Sequence, residues 1–254
     1  MNGPNLTLVG RVALITGCGR GIGLAMARAM ASAGCAVAVQ DIELDVAEAE
    51  AEKLRSEGGK AVALGGDISD VTLPRNLVEQ TRRQFSGLHI LINNAAIQAD
   101  RRWTEYTVEQ IDHEWRANLI GPFLLCQEVA AGFRAQQWGR IINLGSVQGR
   151  SGNPGMLPYS MSKAGLENLT KALARDMARD GVTVNMISPG WFNTWRNRGD
   201  FASVEEMAQR GRWVPMGRIG QPSDAAGLAL LLCSEAGSYI TGQNIYVDGG
   251  ITSR

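Results

Sequence analysis

Short apolar runs alternate along the chain with longer stretches in which apolar residues recur every three or four positions. Residues 12–16 (VALIT) predict a first strand, and the small-residue stretch 22–33 a helix. A second strand at 36–40 (AVAVQ) is followed by a charged amphipathic helix over about 45–56. Runs 61–65 (AVALG) and 89–93 (HILIN) predict two more strands, with a helix over 71–85 between them. Strands at 140–144 (RIINL), 182–187 (VTVNMI) and 243–247 (QNIYV) complete the series, and residues 158–179 carry a helical pattern. Consecutive apolar positions in such short strands mean that both faces are to be covered. Strand–helix alternation at this spacing predicts βαβ units, and so an α/β fold: a doubly wound parallel sheet flanked by helices.

No internal repeat, low-complexity tract or linker marks a boundary, so residues 1–254 read as a single domain. One stretch breaks the rhythm. Residues 190–217 hold Trp191, Phe192, Trp195, Trp213 and four arginines without a clear place in the sheet, as expected of a substrate-covering segment.

Composition narrows the possible partners. The 25 Lys and Arg balance the 25 Asp and Glu, which argues against nucleic acid or an acidic membrane held by bulk charge. Cys18, Cys35, Cys126 and Cys233 form no C-x-x-C pair, and with His89 and His113 isolated no metal-ligand spacing exists; none is expected. The first residues lack a basic region leading into an apolar core, and no apolar run approaches the ~20 residues of a membrane span. A cytoplasmic protein with reduced thiols is the expectation.

Candidate chemistry begins where the first strand meets the first helix. Thr16-Gly17-Cys18-Gly19-Arg20-Gly21-Ile22-Gly23 is a turn whose glycines let backbone approach a pyrophosphate at the positive end of a helix. Asp41 follows the second strand, where a carboxylate accepts bonds from the adenosine ribose 2′-hydroxyl and repels a 2′-phosphate. This favours NAD over NADP. Arg20 is the counterargument: it either welcomes that phosphate or simply reaches solvent. Asp67 and Asn93-Asn94-Ala95-Ala96 follow the third and fourth strands, at the edge where ligands of open sheets collect. Taken singly, Asp67 reads as a helix cap and the asparagines as turn residues; in register after successive strands they read as a binding edge.

Tyr159 and Lys163 stand four apart in a helical pattern, one turn apart on one face. A free tyrosine titrates near 10, and lowering this to ~7 takes about 4 kcal/mol of preferential phenolate stabilisation. A lysine cation one turn away supplies part of it, assisted by an oxidised nicotinamide ring. Ser146 follows strand 140–144 and presents a hydroxyl to the same substrate oxygen.

Together with Asn118, the NMISPG stretch at 185–190 and the closing residues 239–250, these motifs resemble the short-chain dehydrogenase/reductase family across nearly the whole chain. The resemblance implies a Rossmann-like sheet of about seven strands and a homotetramer or homodimer. It implies Tyr159 as general base in oxidation and acid in reduction, with Lys163 holding the nicotinamide ribose. Ser146 would orient the substrate oxygen, and Asn118 would keep a water in the proton relay. Gly17, Arg20, Gly21, Ile22, Gly23, Asp41, Asp67, Ile68, Asn94 and Ala95 match cofactor-contacting positions, and Pro189, Gly190 and Thr194 the nicotinamide face. Departures are mild: Ala96 stands where many members have Gly, and Cys18 where Ala or Gly is common.

For the substrate, Gln98, Gln148, Asn153, Met156, Trp191, Phe192 and Trp195 are pocket candidates, with Arg196 or Arg198. Amides beside aromatics suit a polar secondary alcohol or ketone resembling a sugar, polyol or hydroxy acid. The alternatives are a 3-oxoacyl-thioester reductase using NADPH, against which Asp41 argues, and a non-catalytic dinucleotide sensor or scaffold, which has no use for Ser146, Tyr159, Lys163 and Asn118 together.

Overall fold

A computed structural model describes residues 5–195 and 203–253. Among the described residues the seven strands are β1 (Val12–Ile15), β2 (Ala36–Asp41), β3 (Lys60–Gly65), β4 (Ile90–Asn93), β5 (Gly139–Leu144), β6 (Val182–Pro189) and β7 (Asn244–Val247). All neighbours are parallel, in the order β3-β2-β1-β4-β5-β6-β7. The helices are α1 (Gly21–Ser32), α2 (Leu44–Ser56), α3 (Leu73–Phe85), α4 (Val108–Trp115), α5 (Gly121–Ala135), α6 (Gln148–Ser151), α7 (Leu157–Met177), α8 (Val204–Gly211) and α9 (Pro222–Cys233).

The two-residue period of a strand builds two cores. Ala13 and Ile15 of β1 join Met26 and Met30 of α1 and Ala225, Ala229 and Leu232 of α9. Val12 and Leu14 join Leu77 of α3 and Leu125, Val129 and Phe133 of α5 on the other face. Each large apolar side chain so buried contributes about 1.5–3 kcal/mol. That is why the strand stretches lack a polar face. The chain turns from β1 toward β2 on one side and crosses to β4 on the other, which opens a crevice at the carboxyl ends of β1 and β4.

The structure departs from the sequence pattern in instructive places. The hydrophobic pattern predicts α1, α2, α3 and α7 but not α4, α5, α6, α8 or α9. Helix α9 (PSDAAGLALLLC) is apolar nearly all round, so it has no stripe to detect. Between α4 and α5 a π-helical turn, Arg116–Ile120, shifts the face by one residue and blurs the period. Residues 190–217 are not wholly irregular: they include α8, and Phe192 makes an isolated parallel bridge to Gly220. Strand β6 runs on to Pro189, which therefore ends a strand at the ligand edge.

Candidate active site

The glycine turn is fixed by its neighbours. Gly17 has φ +59°, and a Cβ there would lie 2.7 Å from Ala95 Cα. Thr16 Oγ1 accepts the Asn94 and Ala95 N–H groups, each at 3.1 Å, while Asn94 Nδ2 donates to Thr16 O at 2.9 Å and Gly17 O at 2.7 Å. From the other side, Gln40 Oε1 accepts the Gly17 N–H at 3.1 Å. Helix α1 then starts with no side-chain cap from Arg20 and no acid in its first turn. Gly21 there has φ +62° and no atom nearer its Cβ position than Thr194 at 3.7 Å. Uncapped N–H groups at a positive helix end, beside open space, fit the pyrophosphate of a dinucleotide.

Asp41 ends β2 with its carboxylate buried. Its Oδ2 accepts the Gly19 N–H at 3.1 Å and its Oδ1 the Glu43 N–H at 3.2 Å. Each oxygen keeps a lone pair for a ribose hydroxyl. Arg20 does not simply reach solvent: it forms a two-pronged pair with Glu43 at 2.8 and 3.0 Å, and its guanidinium lies over the Trp195 ring at 4.8 Å. Asp67 accepts the Ser69 N–H at 2.9 Å, and the buried Ile68 packs beside Gly121. Ile22 and the buried Gly23 lie in the first turn of α1.

On the other side of the crevice, Lys163 is buried on α7 and donates from Nζ to Leu144 O at 2.7 Å, two residues before Ser146. Its Nζ lies 5.5 Å from the Tyr159 ring centroid, and Tyr159 is 7% exposed. Ser146 Oγ accepts the Gln148 N–H at 3.2 Å, opening α6, whose Gly149 packs directly on Lys163: a Cβ there would sit 3.1 Å from the Lys163 Cβ. Asn118 sits in the π turn, fully buried, and exchanges both side-chain bonds with the Ile97 backbone at 2.8 Å. Thus α7, the end of β5 and the π turn bring Tyr159, Lys163, Ser146 and Asn118 to one edge of the sheet.

The family model described as Enoyl-(Acyl carrier protein) reductase matches residues 17–252. The chain belongs to the short-chain dehydrogenase/reductase family. It is 39% identical to 3-oxoacyl-[acyl-carrier-protein] reductase FabG of Aquifex aeolicus over 68% of this chain and 69% of that one. The FabG of Pseudomonas aeruginosa is 35% identical over 97% of this chain and 99% of its own. Among solved structures, a gluconate 5-dehydrogenase from Burkholderia cenocepacia in complex with NADP and tartrate superimposes with TM-score 0.92 and 35% identity, over 99% of this chain and 98% of that one. As a short-chain dehydrogenase/reductase, the protein is an oxidoreductase of hydroxyl or keto groups that works with a nicotinamide dinucleotide.

The pocket residues expected of this dehydrogenase divide. Gln98, Gln148, Asn153, Met156 and Trp191 are half-buried. Asn153 Oδ1 accepts the Gly155 N–H at 2.9 Å, and Asn153 O accepts the Met156 N–H at 3.0 Å, shaping the entry to α7. Phe192 is a correction. It is 3% exposed and packs in the core against Gly220, whose Cβ would come within 2.8 Å of its ring, so it supports the segment instead of lining a pocket. Trp195 lies over Arg20, beside the glycine turn. Gly190 donates to Val247 O at 3.0 Å and Pro189 accepts the Val147 N–H at 3.2 Å, while Thr194 sits over Gly21. Arg196 and Arg198 lie outside the described residues.

Four supports were missed in the sequence. Gln40 ties the glycine turn to Gly66, its Nε2 donating to Gly66 O at 2.8 Å. Glu114 Oε1 accepts the Ala99 N–H at 2.7 Å, one helical turn before Asn118. Burial pushes the Glu114 carboxyl up, and its Oε2 has no hydrogen-bond partner. Trp115 donates from Nε1 to Pro158 O at 3.1 Å, next to Tyr159. Asn143 joins Asn93 to Thr170, with bonds of 2.8 and 2.9 Å that pin α7 to the sheet. A polar residue inside an apolar strand run, as at Gln40 and Asn143, was the available signal. Cys18 and Cys126 are buried, burial pushing both thiols up, to about 12 for Cys126, so neither serves as a nucleophile. Among the described residues no metal-binding cluster occurs, and no helix is long and apolar enough to cross a membrane.

Proposed function

We propose that the chain interconverts a secondary alcohol and a ketone, with NAD in preference to NADP, on a polar substrate resembling a sugar, polyol or hydroxy acid. The observation that carries the cofactor part is the buried Asp41 carboxylate, aimed at the glycine turn where the adenosine ribose is to lie. Tyr159 holds and releases the proton of the substrate oxygen, Ser146 donates to that oxygen, and Lys163 stabilises the phenolate. Asn118 fixes the Ile97 backbone and, with it, the wall of the pocket. Gly17, Gly21, Gly23, Asn94 and Ala95 cradle the dinucleotide, Asp67 and Ile68 flank its adenine, and Pro189, Gly190 and Thr194 face its nicotinamide. Bound there, the dinucleotide supplies or accepts the hydride.

The half-buried amides Gln98, Gln148 and Asn153 support a polar substrate, as does the likeness to a gluconate 5-dehydrogenase. The curated relatives named 3-oxoacyl-[acyl-carrier-protein] reductase favour a second reading, reduction of a 3-oxoacyl thioester. One assay separates the two: oxidation of a panel of polyols, aldonates and hydroxy acids with NAD, beside reduction of an acetoacetyl thioester with NADPH and NADH. Turnover confined to the thioester with NADPH would overturn the proposal.

A further inference from the structure

We propose that Glu43 sets the choice between the two dinucleotides by holding Arg20 away from the place of a 2′-phosphate; this rests on the NAD-linked reading above. Arg20 is the cation of the glycine turn, and a planar guanidinium is well suited to grip a phosphate with two parallel bonds. Here both prongs are already taken. Nη1 and Nη2 reach the two oxygens of Glu43 at 2.8 and 3.0 Å, and the flat face of the group lies over Trp195. The pair closes across 23 residues, between the turn after β1 and the turn after β2.

The local charge completes the argument. The carboxylates of Glu43, Asp41 and Asp45 each raise the affinity of the Arg20 guanidinium for its proton, the hydrogen bond it donates to Glu43 leading. Asp41 and Glu43 are themselves linked, the Glu43 N–H donating to Asp41 Oδ1 at 3.2 Å. A 2′-phosphate carries a charge of about −1.5 to −2. It would meet two carboxylates and a cation that must first leave its partner. A 2′-hydroxyl brings no charge and donates to Asp41. Asp41 thus recognises the hydroxyl, while Glu43 removes the group that could otherwise recognise the phosphate.

The test needs no substrate. The full chain and its Glu43→Ala, Glu43→Gln and Glu43→Ala/Arg20→Ala variants are titrated with NAD and with NADP by calorimetry, folding being checked by circular dichroism. The natural chain is expected to bind NAD more tightly. Glu43→Ala should tighten NADP binding about tenfold to a hundredfold, the worth of a charge-assisted pair, with NAD changed by less than about threefold. Glu43→Gln should fall between, and removing Arg20 as well should erase the gain. If the natural chain prefers NAD and Glu43→Ala leaves NADP binding unchanged, the role of Glu43 is overturned and the reading from Asp41 stands. Tighter binding of NADP than of NAD by the natural chain overturns both.

Discussion

Replacing Gly23 by alanine tests the geometry of the glycine turn. An added Cβ would collide with Asn94 Nδ2 and lie 2.9 Å from Cys18 Cα. The first contact can be relieved only by turning the Asn94 amide, which breaks its bonds to Thr16 O and Gly17 O. Each such bond is worth about 1 kcal/mol net. The second contact is with backbone, and overpacking of that kind costs about 1–3 kcal/mol. Against this, Gly→Ala in a helix gains roughly 1 kcal/mol. The balance is a loss of about 2–4 kcal/mol, with weaker dinucleotide binding because the turn itself must move. Gly227→Ala is the control: Gly227 lies exposed in α9 with nothing near its Cβ position, so that change should stabilise by roughly 1 kcal/mol. Urea unfolding followed by tryptophan fluorescence, with NAD titration of each variant, reads both. A Gly23→Ala protein as stable as Gly227→Ala, binding NAD normally, would refute the close approach of α1 to Asn94.

Other predictions address the chemistry and its supports. Tyr159→Phe should lose about 10²–10⁴-fold in kcat while NAD affinity by calorimetry stays within about threefold, because the missing hydroxyl acts on the proton of the substrate. Glu114→Gln keeps an acceptor for the Ala99 N–H but cannot ionise. Since burial raises the Glu114 pKa in the folded state, its ionisation destabilises the natural chain progressively as pH rises from the unfolded pKa toward the folded one. Urea midpoints should therefore shift in favour of Glu114→Gln on going from pH 4 to pH 8, and a pH-independent difference would count against a strained buried carboxyl. Phe192→Ala should cost about 3–5 kcal/mol in chemical denaturation, as for a buried aromatic; a change below about 1 kcal/mol would return Phe192 to the pocket wall.

The strands and the central motifs were legible because their signals are local. A strand covered on both faces is apolar at nearly every position, as VALI at β1 and ILI within β4 are. The glycines after β1 answer to backbone torsions and close contacts within one turn, and Tyr159 and Lys163 share a face because the helical period puts them there. The stretch from α4 to α5 was not legible, since the π turn bearing Asn118 breaks the period at the point that matters most.

By itself the sequence determined the alternation of strands and helices, the glycine turn, Asp41 and the Tyr159/Lys163 pair. Tertiary structure alone decided that Arg20 is tied to Glu43, that Phe192 is core, that Glu114 and Asn118 grip the segment after β4, and that Gln40 buttresses the glycine turn. The physical reason is range. Periodicity and turn chemistry act over a few neighbouring residues, whereas a hydrogen bond or a buried contact depends on which distant segments the sheet order brings within a few ångströms.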